Sequence, residues 1–284
     1  MRLKSIASIA MLAGVCLAAC SAGAALPSEI SVRIKLAYNA FIIGERIRAE
    51  VNVENASADS IDVGSRGSED SFFIELYRAS DMSRLRRIGR EPFTAAFLIH
   101  SGEGQKLETH LGDHFAIDAE TRYLARAVLV HRGIRFESAY KSFDVVPGLR
   151  AGGALQMFAK APGLRRELEL VHWGRDQLEH LFLKARDTGP SGRRWTTADL
   201  GPVMRVTDPK LSILPSGEVV VLHRTSQDEF IRSVFWSIPE AFEVNEHERM
   251  TDPDVAGTER VKALYGESGS AETTQKKRSW WKFW

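Results

Sequence analysis

Ile47-Arg48-Ala49-Glu50-Val51-Asn52-Val53 alternates apolar and polar residues without a break. Successive side chains on a β-strand point to opposite faces. This period of two therefore lays Ile47, Ala49, Val51 and Val53 on a buried face and Arg48, Glu50 and Asn52 on a wet one. The pattern extends in both directions. Upstream, Val32, Ile34 and Leu36 alternate with Ser31, Arg33 and Lys35; downstream, Phe72, Ile74 and Leu76 give a third strand and Ala95–Ile99 a fourth. Tyr123–Val130 and Ile134–Val146 read as a hairpin turning at Arg132-Gly133. Nothing between Ser28 and Pro147 sustains the 3.6-residue period of a helix. Short strands separated by Gly, Asn, Asp and Ser turns over about 120 residues predict an antiparallel β-sandwich, here residues 29–147.

Beyond it, Pro147-Gly148-Leu149-Arg150-Ala151-Gly152-Gly153 reads as a linker, 148–158, because proline and glycine disfavour continued strand. A second, smaller β domain is expected over 159–250, and it carries an internal echo. Leu168, Leu170 and Gly174 precede Leu178–Leu183, and Leu211, Ile213 and Gly217 precede Val219–Leu222 at an offset of about 43 residues. A short helix is expected over 251–266, with Ala256, Val261 and Leu264 on one side, then a flexible tail over 267–284. The fold class predicted is thus all-β, a sandwich followed by a smaller sheet domain, with a helix and tail at the end.

Two segments of the first domain resemble immunoglobulin-like sandwiches. Gly44-Glu45-Arg46-Ile47, with the alternation that follows, is similar to the opening of bacterial immunoglobulin-like domains, such as that of intracellular proteinase inhibitors. Tyr123, shortly after Asp118, fits the tyrosine corner that pins a loop to a strand start in such sandwiches. The resemblance implies the fold and, as one alternative function, proteinase inhibition. In the second domain, Trp195-Thr196-Thr197 through Pro209 and Ser216-Gly217-Glu218-Val219 resemble blades of sialidase-like propellers, which implies glycan binding or processing. Two copies do not close a ring, and the aspartate-containing turn of those enzymes is absent.

The start of the chain gives a location. Arg2 and Lys4 precede an uncharged apolar run, Ile6–Ala18, shorter than the roughly 20 residues a bilayer span needs, so 1–19 reads as a secretory signal. The run ends in Leu17-Ala18-Ala19-Cys20, which resembles the lipobox of bacterial lipoproteins. In that family the cysteine thiol is acylated and the leader is cut before it, leaving here a tether, 20–28, anchored to membrane through acylated Cys20. Ser21 does not match the aspartate that retains many lipoproteins at the inner membrane, which favours the outer membrane. Cleavage further along, in Ser21-Ala22-Gly23-Ala24-Ala25, is the alternative and gives a secreted or periplasmic protein.

Composition narrows the chemistry. Hydrophobic residues make up 44% and charged residues 26%, an ordinary globular balance, and a formal net charge of +1 argues against a general nucleic-acid partner. The 2 cysteines are Cys16 and Cys20, so the exported part has no thiol for a disulfide, a zinc site or a nucleophile. His110 and His114 flank Asp113, but Gly112 interrupts the helix their spacing needs to bind metal, leaving a solvated loop pair. His172, His180 and His223, with Asp176 and Glu179 nearby, sketch an acid–base site, although exposed strand positions account for them without one. Ser191, between Pro190 and Gly192, falls short of a nucleophile elbow, and Asn55-Ala56-Ser57 is a chance glycosylation match. No cofactor or metal is expected, and no catalytic signature is found.

The tail is the remaining signal. Gly266–Gln275 is small and polar, and it leads to Lys276-Lys277-Arg278-Ser279-Trp280-Trp281-Lys282-Phe283-Trp284. Tryptophan favours the membrane interface and cations favour anionic lipid, so Lys276, Lys277, Arg278, Trp280, Trp281, Lys282, Phe283 and Trp284 are candidate membrane contacts. They are equally candidate anchors for an envelope protein partner, or a cover for an apolar patch on their own domain. The function expected is a non-enzymatic envelope lipoprotein that binds or supports, with a glycan-directed protein or a proteinase inhibitor as alternatives.

Overall fold

The computed structural model describes residues 29–189 and 192–251, and within them alternation becomes pairing. The strands before Pro147 are β1 (Ile30–Leu36), β2 (Ala40–Ile42), β3 (Arg48–Asn55), β4 (Ile61–Val63), β5 (Ser71–Arg78), β6 (Phe97–Ile99), β7 (Gly104–His110), β8 (Arg122–His131), β9 (Ile134–Glu137) and β10 (Lys141–Val146). β1 pairs antiparallel with β3 so that Val32 faces Val53 and Ile34 faces Val51, and β7 joins the other side with Leu107 opposite Val51. The apolar rows read from the sequence therefore coincide across the sheet. The opposing sheet runs β2-β10-β8-β5, with β2 parallel to β10 and β9 extending β8, and β4 pairs with β6 in a small separate sheet.

One core fills the space between the larger sheets, built from Ile34, Val51, Leu76, Leu107, Tyr123 and Phe143 among others. Tyr123 is fully buried, stacks on Phe143, and its hydroxyl donates to the Ala119 carbonyl at 3.0 Å. This is the bond expected of a tyrosine corner. The hairpin at Arg132-Gly133 also forms, with both residues at positive φ, the geometry a two-residue type I′ turn demands. Its second arm breaks at Ser138, whose backbone N–H donates to the Ala127 carbonyl while its hydroxyl accepts from the Ala127 N–H.

The second half contains β11 (Leu149–Met157), β12 (Arg165–Arg175), β13 (Leu178–Gly189), β14 (Gly192–Pro202), β15 (Lys210–Ile213), β16 (Val219–Arg224), β17 (Glu229–Ile238) and β18 (Ala241–Thr251). They form two antiparallel meanders, β11-β12-β13-β14 and β15-β16-β17-β18. The meanders face each other across Leu168, Leu170, Leu183, Val219, Val221 and Phe235. The described chain is all-β and sandwich-like throughout.

The segment expected to be a linker is instead β11, paired with β12 along its length around a bulge between Arg150 and Gly152. Its Gln156 is buried and bridges the meanders, donating to the Gly217 carbonyl at 2.8 Å and accepting from the Ser237 hydroxyl. Cross-strand pairing outweighs the modest local cost of glycine in a strand. The sequence echo equates the β12–β13 hairpin with β15–β16, which occupy different positions in their sheets. β18 runs to Thr251, and the expected helix otherwise lies outside the described residues, as does the tail.

Candidate functional site

The two halves meet where the loop after β2 docks on the outward face of the β11–β14 sheet. Gly44, at φ +81, makes the turn, and a Cβ there would lie 2.7 Å from the Cβ of Trp195. The backbone therefore approaches as only glycine allows. The Thr197 N–H donates to the Gly44 carbonyl at 3.0 Å and its hydroxyl to the Ile43 carbonyl at 2.6 Å. Ile42 packs against Val171 and Phe182 in a small dry cluster of its own.

At the centre of this junction Arg175, from the end of β12, is 3% exposed at its side chain and grips both oxygens of Glu45. Its guanidinium lies 3.9 Å from the centre of the Tyr38 ring and also donates to the Ala40 carbonyl. Burial disfavours the charge on Arg175, and the Glu45 bonds together with Asp199 and Tyr38 more than offset it, so its pKa is held above the ordinary arginine value. The Tyr38 hydroxyl donates to Asp176, and burial followed by that carboxylate raises its pKa. Asp199 extends the network to His180 at 3.0 Å.

Beside the junction the same sheet face opens into a groove of about 530 Å³. Alternation puts Glu167 and Glu169 of β12 on this face, opposite Arg186 and Lys184 of β13, with Trp195 of β14 next to Arg186. Lys184 is almost fully buried, bonds Glu169 at 3.0 Å, and donates to the Pro147 carbonyl. Arg186 pairs with Glu167, and both cations lie over the Trp195 ring, at 5.4 and 5.3 Å. Arg150 closes the row on Glu169 at 3.4 Å. Every charge lining the groove is thus matched in place, which suits it to hold a polar ligand by exchange of partners more than to move protons.

The histidines depart from the exposed positions expected of them. His172 and His223 are 7% and 2% exposed, because each continues an inward row, Leu168-Leu170-His172 and Val219-Val221-His223. That shared parity is the sequence signal for burial, and strand pairing makes it decisive. Neither ring nitrogen of His223 meets a partner at hydrogen-bond geometry. Burial pushes its pKa down to about 4, the nearby Pro202 carbonyl opposing, and His247 adding to the shift. Burial likewise lowers His172 and His247, the latter bonded to the Ser233 hydroxyl at 3.0 Å.

The sketched acid–base site is not assembled. Glu179 pairs with Arg205, Asp176 takes the Tyr38 hydroxyl, and His180 faces Asp199. His114 is not solvated either: it is buried, bonded to the Thr109 hydroxyl, and its ring lies 4.4 Å from that of Phe93. Asn55 is buried too, its amide donating to the Asp59 and Ile99 carbonyls. Among the described residues no group of three or more His, Cys, Asp or Glu side chains is placed to hold a metal ion. Cys20, Ser191 and Lys276–Trp284 lie outside the described residues. The groove was missed because its partners come from four strands whose register the sequence does not display.

No protein-family model matches the chain, and no curated protein matches it in sequence. Among solved structures the chain is similar to Spo0M, a sporulation control protein from Bacillus subtilis, at 12% identity over 83% of this chain and 96% of that one. The TM-score is 0.29, a likeness that carries no argument about function.

Proposed function

We propose that this chain is a non-enzymatic lipoprotein of the bacterial cell envelope, a binding module held to the membrane by acyl chains on Cys20. The observation that carries this reading is Leu17-Ala18-Ala19-Cys20 at the end of an uncharged apolar run. Two or more acyl chains give stable anchoring where one does not. Ser21 directs the anchor to the outer membrane, and the basic-aromatic segment Lys276–Trp284 supplies a second contact, with anionic lipid or an envelope protein. The first domain is read as immunoglobulin-like, a common carrier of binding surfaces. Support for binding over catalysis comes from the groove, where both carboxylates already hold cations.

The intact mass of the mature protein tests the anchor. A chain beginning at Cys20 and heavier than its sequence by two or three acyl groups is expected, and a Cys20→Ala variant should leave the membrane fraction. A mature chain starting beyond Cys20 with no added mass would overturn the reading. One observation favours a second reading, glycan processing: Glu167 and Glu169 share one strand face within the groove. Residues two apart on a strand present their side chains to one face, and glycoside hydrolysis works with a pair of carboxylates. Glycan turnover abolished by both Glu167→Gln and Glu169→Gln would establish it.

A further inference from the structure

The outward face of the β15–β18 sheet carries an apolar stripe beside an acidic one. On β17, Trp236 and Ile238 are 48% and 47% exposed, and they point away from the core that Phe235 and Ser237 enter. On β18, Glu243 lies opposite Trp236, Glu246 opposite Val234 and Glu248 opposite Arg232, so all three carboxylates share that face. Glu240 stands in the connecting turn. Glu246 bonds Arg232 at 3.0 Å; among the described residues Glu240, Glu243 and Glu248 hold no cation. The first domain is built differently. The outward face of β1-β3-β7 is laddered with matched pairs, Arg33 with Glu54, Arg48 with Glu108 and Lys106 with Glu50, and its one surplus charge, on Lys35 opposite Glu50, is positive.

We propose that this face is the dock for the chain's own segment Lys276–Trp284, lying outside the described residues. The chemistry matches side for side: Lys276, Lys277, Arg278 and Lys282 complement the carboxylates, while Trp280, Trp281, Phe283 and Trp284 cover Trp236 and Ile238. Reach is ample. β18 ends at Thr251, and the residues 252–275 that follow can extend about 80 Å, whereas doubling back along β18 takes about 35 Å. Because the cations and rings used here are those that meet anionic lipid, docking and membrane contact exclude each other. The sheet then holds the tail until a membrane competes for it. The inference stands whether or not Cys20 is acylated.

A cysteine pair in the full chain tests it, since no cysteine follows residue 20. With Cys16 and Cys20 replaced by serine, Ala241→Cys on the acidic face and Lys282→Cys in the tail should oxidise to an intramolecular disulfide at least tenfold faster than Arg33→Cys with Lys282→Cys. Equal rates, or disulfides only between molecules, would overturn the dock. Adding Glu243→Lys and Glu248→Lys should bring the fast pair down to the control rate, and a rate unmoved by that reversal would refute charge-matched docking. Vesicles with one third anionic phospholipid should slow the fast pair, and an unchanged rate would remove the competition.

Discussion

His223 carries a cost that depends on pH. With both ring nitrogens unbonded and burial holding its pKa near 4, the folded chain binds a proton there later than the unfolded chain, whose histidine titrates near 6.5. The unfolded state therefore holds more protons between those values, so the neutral histidine's contribution is complete above 6.5 and fades as pH falls toward 4. The full shift corresponds to about 3 kcal/mol, at 1.36 kcal/mol per pH unit. His172 and His247, also shifted down by burial, act in the same direction. Denaturant unfolding at pH 7 and pH 4.5 should show the loss, and His223→Leu should flatten the difference; an equal slope in that variant would place the acid sensitivity elsewhere. Tyr123 is a simpler case at this scale. Tyr123→Phe keeps the ring on Phe143 and removes only the bond to Ala119, so a loss of about 1 kcal/mol in stability is expected, with no change in secondary structure by circular dichroism.

Among the strands, legibility follows length and alternation. β1, β3, β5 and β8 are each seven residues or longer with an apolar row, and all four stand out in the sequence. β2 and β4 have three residues each, too few to show a period, and β7 has Leu107 as its one large aliphatic side chain. β11 was hidden for another reason: its glycines signal a break locally, and only the long partner β12 makes a strand of it. The groove was invisible on the same ground, since Glu167, Lys184 and Trp195 become neighbours through register alone. The Gly44 turn shows how an element constrains its sequence in return. Gly44→Ala places a methyl against Trp195 in a backbone conformation L residues resist, so we expect a loss of roughly 1–3 kcal/mol. The variant should also shift the fluorescence of Trp195 at the junction; unaltered stability would mean the loop can withdraw from the sheet without loss.

Over the whole chain, the question is whether two sandwiches behave as one body. Each has its own core, and the join includes Ile42 with Val171 and Phe182, the Thr197 bonds, the Tyr38–Asp176 bond, Trp195 packed against the first core, and the Arg175–Glu45 pair. The ion pair is the component with leverage. Breaking a buried pair by deleting one partner costs about 3–5 kcal/mol, since the remaining charge stays desolvated. Glu45 is the informative residue to remove, because the buried cation then keeps only Asp199, 3.8 Å away on its own sandwich, as an ionic partner among the described residues, while the loop that gripped it belongs to the first. Separating the halves lets Arg175 return to water, so the cheapest response to Glu45→Ala is loss of the interface with both cores intact. Scanning calorimetry of the parent protein should show one cooperative transition. The Glu45→Ala variant should show two, the second sandwich's close to its parent temperature, whereas a single transition displaced to lower temperature would mean that Ile42 and its neighbours hold the halves together without the pair.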